Sequence, residues 1–225
     1  MSSAENILAL RLKGSLMSCG VPAIAENRPT GMFPSKGQVV GVVGSAMGVE
    51  RTDRESIAAL ASLQMASFKI HAGPVITDFQ VVMPNELKGC LIGAVNGIKS
   101  KDRKNLIRRK SYICDADYVV FLTGDSSFLE KCQESLILPA HPLFLGRACC
   151  VPSEPVLGGI FETDEEALDY LRRLTDGAQT KCLEYERDCS SDEADDQVKD
   201  VPVEFGDSAE YLRRFVQRGL CKLRG

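Results

Sequence analysis

The segment Gly37-Gln-Val-Val-Gly41-Val-Val-Gly44-Ser-Ala-Met-Gly48 constrains this chain more than any other. Its glycines recur at intervals of four, three and four residues, the repeat of one helix face. A glycine inside a helix costs roughly 1 kcal/mol relative to alanine. Such a stripe is therefore tolerable only where the helix backbone presses against a neighbour. Val39, Val40, Val42, Val43 and Met47 supply apolar bulk, and Ser35 is placed to cap the helix start. The glycines do not form a nucleotide loop, because neither Gly-x-x-x-x-Gly-Lys-Ser/Thr nor Gly-x-Gly-x-x-Gly is present. They predict a helix packed against a sheet.

The surrounding pattern supplies that sheet. A short apolar run at 7–12 reads as a first strand, and 53–63 as a second helix. Runs at 65–71 and 75–83 read as strands separated by a turn at Ala72-Gly73-Pro74. Residues 84–110 lose periodicity and read as a structureless loop. Beyond them, 111–114 and 118–123 read as a strand pair around Asp115-Ala116-Asp117, with helices at 126–136 and 163–174. Residues 184–200 hold eight acidic and two basic residues with little apolar content, which predicts a solvated loop. Apolar character resumes at Leu212, Phe215, Val216 and Leu220. The order β-α-α-β-β, loop, β-β-α predicts an α+β fold with antiparallel sheet on one side and helices on the other.

Composition excludes several classes. With 225 residues the chain can bury a core without disulfides or metals. Lys plus Arg number 27 against 31 for Asp plus Glu, so the chain is not a uniformly basic nucleic-acid coat. It lacks Trp and is 6% aromatic, which argues against a platform of many stacking rings. Nine cysteines, an odd number without a Cys-x-x-Cys pair, and two histidines fit neither a disulfide framework nor a zinc site. Reduced thiols acting as small core hydrophobes are expected, in a cytoplasmic protein. The adjacent Cys149 and Cys150 are a weak redox signal. A polar start carrying Glu5 is no secretory signal, and no apolar run reaches the ~20 residues of a membrane span.

Against this acidic total, 99–110 holds Lys99, Lys101, Arg103, Lys104, Arg108, Arg109 and Lys110 with a single acid, Asp102. A charge run is ordinarily a solvated face; this density also suits a flexible basic arm on an RNA or DNA backbone. Tyr112, which follows, is either a base-stacking ring or a core residue. Ser35, Lys36 and the free amides of the helix start suggest a phosphate site within reach of Arg28, although plain capping explains them equally. For catalysis the chain offers His71 and His141 without a nucleophile, base or carboxylate pair beside them in sequence, and Asp115 and Asp117 read as turn residues. No catalytic residue, metal or cofactor is expected.

Several segments together resemble one family. These are Leu10-Arg-Leu-Lys-Gly-Ser-Leu-Met-Ser-Cys-Gly20, Arg28-Pro-Thr-Gly-Met-Phe-Pro-Ser-Lys36, Gly48-Val-Glu-Arg51, Asp78-Phe79, Tyr112-Ile-Cys-Asp-Ala116 and Pro142-Leu-Phe-Leu-Gly-Arg147. In order and spacing, over roughly 5–160, they are similar to family five of the CRISPR-associated (Cas) proteins, in the branch serving the type I-E Cascade surveillance complex. The resemblance implies a ferredoxin-like, RNA-recognition-type (RAMP) domain over 1–150 with a thumb at about 84–110. A C-terminal region, 151–225, with the acidic stretch 184–200, would pack on it. It further implies a subunit that grips the 5′ handle of CRISPR RNA (crRNA) through Arg28, Ser35, Lys36, the 99–110 cations, Tyr112 and Arg147. Its implied neighbours are a backbone subunit and the large subunit, with target DNA met only through the complex and no membrane. Some relatives in another subtype cleave repeat RNA with Tyr, Lys and His; without a histidine near the thumb, this chain reads as non-catalytic, and a metal-independent endoribonuclease is the alternative. Two departures stand out: Cys19 replaces a usual Trp, and Asp78-Phe79-Gln80-Val81 replaces an Asp-aromatic-His-Thr run.

Overall fold

The computed structural model describes residues 5–21, 26–82, 106–175, 182–205 and 209–223. Their strands are β1 (Glu5–Met17), β2 (Asn27–Arg28), β3 (Gln64–His71), β4 (Val75–Val82), β5 (Leu106–Asp125), β6 (Leu157–Phe161), β7 (Cys182–Asp188), β8 (Asp196–Glu204) and β9 (Glu210–Lys222). The helices are α1 (Lys36–Met47), α2 (Arg54–Ser62), α3 (Ser126–Ile137) and α4 (Asp164–Thr175). One nine-stranded sheet runs in the order β6-β1-β5-β3-β7-β9-β8, with β2 and β4 also on β5. It crosses residue 150 without a break, since β6 pairs with β1 and β7 with β3.

The α+β expectation holds, but helices cover both faces. Leu8, Leu10, Leu12, Met65, Tyr118, Val120 and Leu122 point to one side and form the larger core with α1, α2 and α3. Ile7, Ala9, Val119 and Phe121, the alternate residues, meet Ala167 and Leu171 of α4 on the other. A strand buried on both faces reads as a continuous apolar run, as at 7–10 and 118–122. Within α1, the glycine stripe meets a close neighbour only at its start, since a Cβ on Gly41 or Gly44 would stand 3.9 or 3.5 Å from the nearest side chain, an ordinary contact. A Cβ on Gly37 would stand 3.0 Å from the Tyr211 ring and 3.1 Å from the Asp200 carbonyl oxygen, so α1 lies directly on the C-terminal strands. Ser35 caps α1, accepting the Gln38 amide at 3.2 Å, and Gly48 ends it at φ +73°. Asp53 and Asp125 cap α2 and α3 in the same way.

Three expectations are corrected. The strand pair around Asp115 is a single twenty-residue strand, β5. Asp115 adopts φ +46° inside it without reversing it, and the register against β1 runs through unchanged. Nor do 72–74 form a hairpin turn. Both β3 and β4 run antiparallel to β5 on successive stretches of it, so together they are one long strand interrupted opposite Asp115, with the register shift in β3 between Lys69 and His71. There Gly73 donates to the Cys114 carbonyl at 2.9 Å, and a Cβ on Gly73 would stand 2.8 Å from that oxygen. Finally, 184–200 is not a loop: it contains most of β7 and the start of β8. Its acids are tolerable in a sheet because remote cations neutralise them, as described next.

Candidate nucleic-acid interface

The buried end of the site expected around Ser35 and Lys36 is already filled by the chain's own charges. Lys36 is only 6% exposed. Its ammonium donates to Asp188 at 2.7 Å and its backbone amide to Asp200 at 2.8 Å. A carboxylate thus occupies the helix N-terminus where a phosphate was expected. Arg214 completes the cluster. It donates to Asp200 at 2.8 and 2.9 Å, to Asp188 at 2.7 Å and to Glu186 at 2.9 Å. Arg218 adds a bond to Glu186 at 2.8 Å. Burial works against the Arg214 charge, yet Asp200, Asp188 and Glu186 outweigh it and raise its pKa. Lys36 and Ser35 are therefore structural, and the acids that looked like a solvated loop are their partners. A shallow cleft beside Ser35, bounded by Met32, Phe33, Asp200 and Leu220, shares this compensated floor.

The other candidates among the described residues gather around the first half of β5, where β4 and β2 flank it. The register of β4 on β5 sets Asp78 opposite Lys110, Phe79 opposite Arg109 and Gln80 opposite Arg108. Directly paired residues share a face, and neighbours along a strand alternate. Arg108, Lys110 and Tyr112 consequently lie on one face, and Ile107 and Arg109 on the other. The basic run is thus partly strand where a loop was expected, and alternation splits its cations. Arg109 sits over the Phe79 ring at 5.3 Å. Lys99, Lys101, Arg103 and Lys104 lie outside the described residues.

β2 brings Arg28 to the Lys110 side. It runs parallel to β5, with Arg28 level with Lys110. Arg147 holds this arrangement together. Its guanidinium stacks over Tyr112 at 4.6 Å and donates to the carbonyl oxygens of Ser111 at 2.8 Å and Arg28 at 3.0 Å. Tyr112 is buried, so the structure corrects the stacking expectation: its ring face receives an arginine. Burial raises its phenol pKa. Among the described residues, Arg28, Arg108 and Lys110 make no ion pair, and Asp78 instead accepts the Gln80 amide at 2.6 Å. This is an open row of cations on β2 and β5, with Arg147 on the same face tying the two strands together.

The turn carrying Arg147 is itself clamped. Ser18 donates to the Leu145 carbonyl at 3.0 Å, and Leu145 donates to the Cys150 carbonyl at 2.7 Å. Gly146 adopts φ +99°, and a Cβ there would stand 1.9 Å from the Ser18 carbonyl oxygen. Gly146→Ala is expected to cost at least roughly 1–3 kcal/mol in backbone strain alone. Thermal unfolding measures this, and an unchanged midpoint would refute the clamp. Cys19 is a core residue, its thiol 3.7 Å from the Met17 sulfur and pushed up to about 12 by burial. Exposed apolar residues on β4, with Phe79 at 54% exposure beside Val75, Ile76 and Val81, escaped the sequence reading. The signal was there: a strand apolar on both faces, continuous with a basic strand, has no core to enter.

Residues 7–217 match the family model described as CRISPR-associated protein (Cas5). The chain belongs to this CRISPR-associated Cas5 family. It is also similar to the CRISPR system Cascade subunit CasD of Escherichia coli K12, at 26% identity over 167 residues, covering 72% of this chain and 74% of that one. A solved structure described as the crystal structure of a Cas protein aligns with a TM-score of 0.71 at 25% identity, over 96% of this chain and 95% of that one. A chain of a CRISPR RNA-guided surveillance complex has the same fold, with a TM-score of 0.75 at 20% identity and coverage of 96% and 90%. Among the described residues of this Cas5 protein no helix is long and apolar enough to cross a membrane.

Proposed function

We propose that this Cas5 protein is a non-catalytic RNA-binding subunit of a type I-E Cascade complex, gripping the repeat-derived 5′ handle of crRNA and capping the backbone filament. The observation that carries the reading is the open row of Arg28, Arg108 and Lys110, on β2 and β5 and tied together by Arg147. Side chains on alternate strand positions stand about 7 Å apart, close to the phosphate spacing of an extended single strand. We read 1–150 as a ferredoxin-like, RNA-recognition-type domain, with the β4–β5 hairpin as the base of its thumb and 151–225 packed on it. The neighbours are a backbone subunit and the large subunit, and target DNA is met only through the complex.

The test uses the full chain with a labelled RNA of the repeat-derived handle, in EDTA. Saturable binding that weakens with salt and leaves the RNA intact is expected. Defined cleavage would favour the endoribonuclease alternative, and absence of binding to the handle, both alone and with the neighbouring subunits, would overturn the reading.

A further inference from the structure

Cys149 and Cys150 occupy the turn that carries Arg147, and their sulfurs lie 4.0 Å apart. One is outside and the other inside: Cys149 is exposed, whereas Cys150 is fully buried in the larger core. The Cys149 thiol donates to the Tyr112 hydroxyl at 3.6 Å, beneath the ring that Arg147 covers. Cys150 is anchored through its backbone as well, donating to the Arg147 carbonyl at 2.8 Å and accepting from the Leu145 amide at 2.7 Å.

We infer that Cys149 and Cys150 form a reversible vicinal disulfide under hydrogen peroxide, and that this disulfide loosens Arg147 and the cationic row it positions. An exposed thiol poised beside a second thiol is the arrangement that captures a sulfenic acid as a disulfide. In the first step the Cys149 sulfur attacks one peroxide oxygen. The O–O bond breaks, water leaves with the thiol proton, and Cys149 becomes a sulfenic acid. In the second, the Cys150 sulfur attacks the Cys149 sulfur; the S–O bond breaks, the S–S bond forms, and the hydroxyl leaves as water with the Cys150 proton. The two thiols lose two electrons, which peroxide accepts. The buried Cys150 thiol, pushed up to about 11, belongs to the second step, after the exposed sulfur has met the oxidant.

Closure must bring the sulfurs from 4.0 Å to about 2 Å. Cys150 is held by the core on one side and the turn on the other, so Cys149 makes the movement. It leaves the Tyr112 hydroxyl and draws with it the turn from which Arg147 reaches Ser111 and Arg28. Arg147 is here a positioning residue, and the effect on RNA rests on the proposed handle-binding function; the disulfide does not.

The experiment treats the full chain with limiting hydrogen peroxide, blocks free thiols, and digests without reduction. Trypsin releases 148–172 as one peptide, whose only cysteines are Cys149 and Cys150. The expected result is this peptide lighter by two hydrogens and unblocked, and restored by dithiothreitol. Blocked thiols in it, or oxidation halting at sulfenic or sulfinic acid, would overturn the disulfide. Handle RNA is then titrated into the oxidised and reduced proteins. About tenfold weaker binding after oxidation is expected, the equivalent of one charge-assisted contact. Cys149→Ser should bind equally before and after peroxide. Equal affinities of the oxidised and reduced wild-type chain would overturn the coupling to Arg147. If the reduced chain binds no handle at all, it is the handle reading that fails, while the peptide mass still decides the disulfide.

Discussion

Arg214→Met is expected to lower stability by about 3–5 kcal/mol, because it strips the shared cation from three buried carboxylates. Glu186, Asp188 and Asp200 each accept from Arg214 within 2.9 Å, and the Arg214 side chain is 6% exposed. Removing it leaves Lys36 and Arg218 to balance three acids. An uncompensated buried charge is far costlier than the net worth of the pair it came from. Total stabilities are typically 5–15 kcal/mol, so this loss is a large part of the whole. Arg214→Lys keeps the charge but cannot reproduce the planar fork that meets Asp200 with two nitrogens and still reaches Asp188 and Glu186. Its expected loss lies between those of wild type and Arg214→Met. Urea unfolding of the three proteins gives the ranking. Coincident curves would show that the cluster does not hold α1 to the C-terminal strands.

The second large effect concerns RNA. Replacing Arg28, Arg108 and Lys110 together with alanine should weaken binding of the handle by about a hundredfold or more at low salt, since each charge-assisted contact contributes about 1.5–3 kcal/mol. The slope of log affinity against log salt should fall by about 2, at about 0.7 per single-strand phosphate contact. Arg109→Ala is the internal control. Arg109 is one residue from both Arg108 and Lys110, yet it faces the other way, over Phe79. A basic arm acting only through its summed charge would make Arg109 equivalent to its neighbours. The strand geometry makes it nearly silent. Equal slopes for all the variants would reject the assignment of one binding face.

The sequence revealed the helices more readily than the sheet. Ser35, Asp53 and Asp125 are local capping signals, satisfied within three residues of themselves. Glu184, Glu186 and Asp188 carried no such local cue. They stand at the spacing of a strand face, exposed at Glu184 but turned inward at Glu186 and Asp188 because Lys36, Arg214 and Arg218 meet it there from 26 or more residues away. Period-two acids matched by distant basic residues were the available hint, and acidity concealed it. At Asp115 the obstacle was different. Asp-Ala-Asp carries turn chemistry, and the left-handed residue is there, yet the strand continues through it because β1 pairs on both sides of it in unbroken register. The candidate site was legible in its residue types, for Arg28, Arg108, Lys110 and Arg147 do converge. It was not legible in its roles. Lys36 and Tyr112 became structural through neighbours far away in the chain, and alternation alone separated Arg109 from Arg108.

The uninterrupted length of β5 also governs which changes in chain length the molecule can absorb. From Tyr118 to Leu122 every second side chain belongs to a different core, and from Ile107 to Lys110 every second one to a different surface. Losing or gaining one residue inside either stretch exchanges the two sets beyond that point, whereas a change of two preserves them. Parity is therefore conserved along β5, and the odd residue opposite it lies in β3, where the register shifts between Lys69 and His71. The partner strand thus takes up the odd residue, while β5 itself tolerates changes of length only in steps of two.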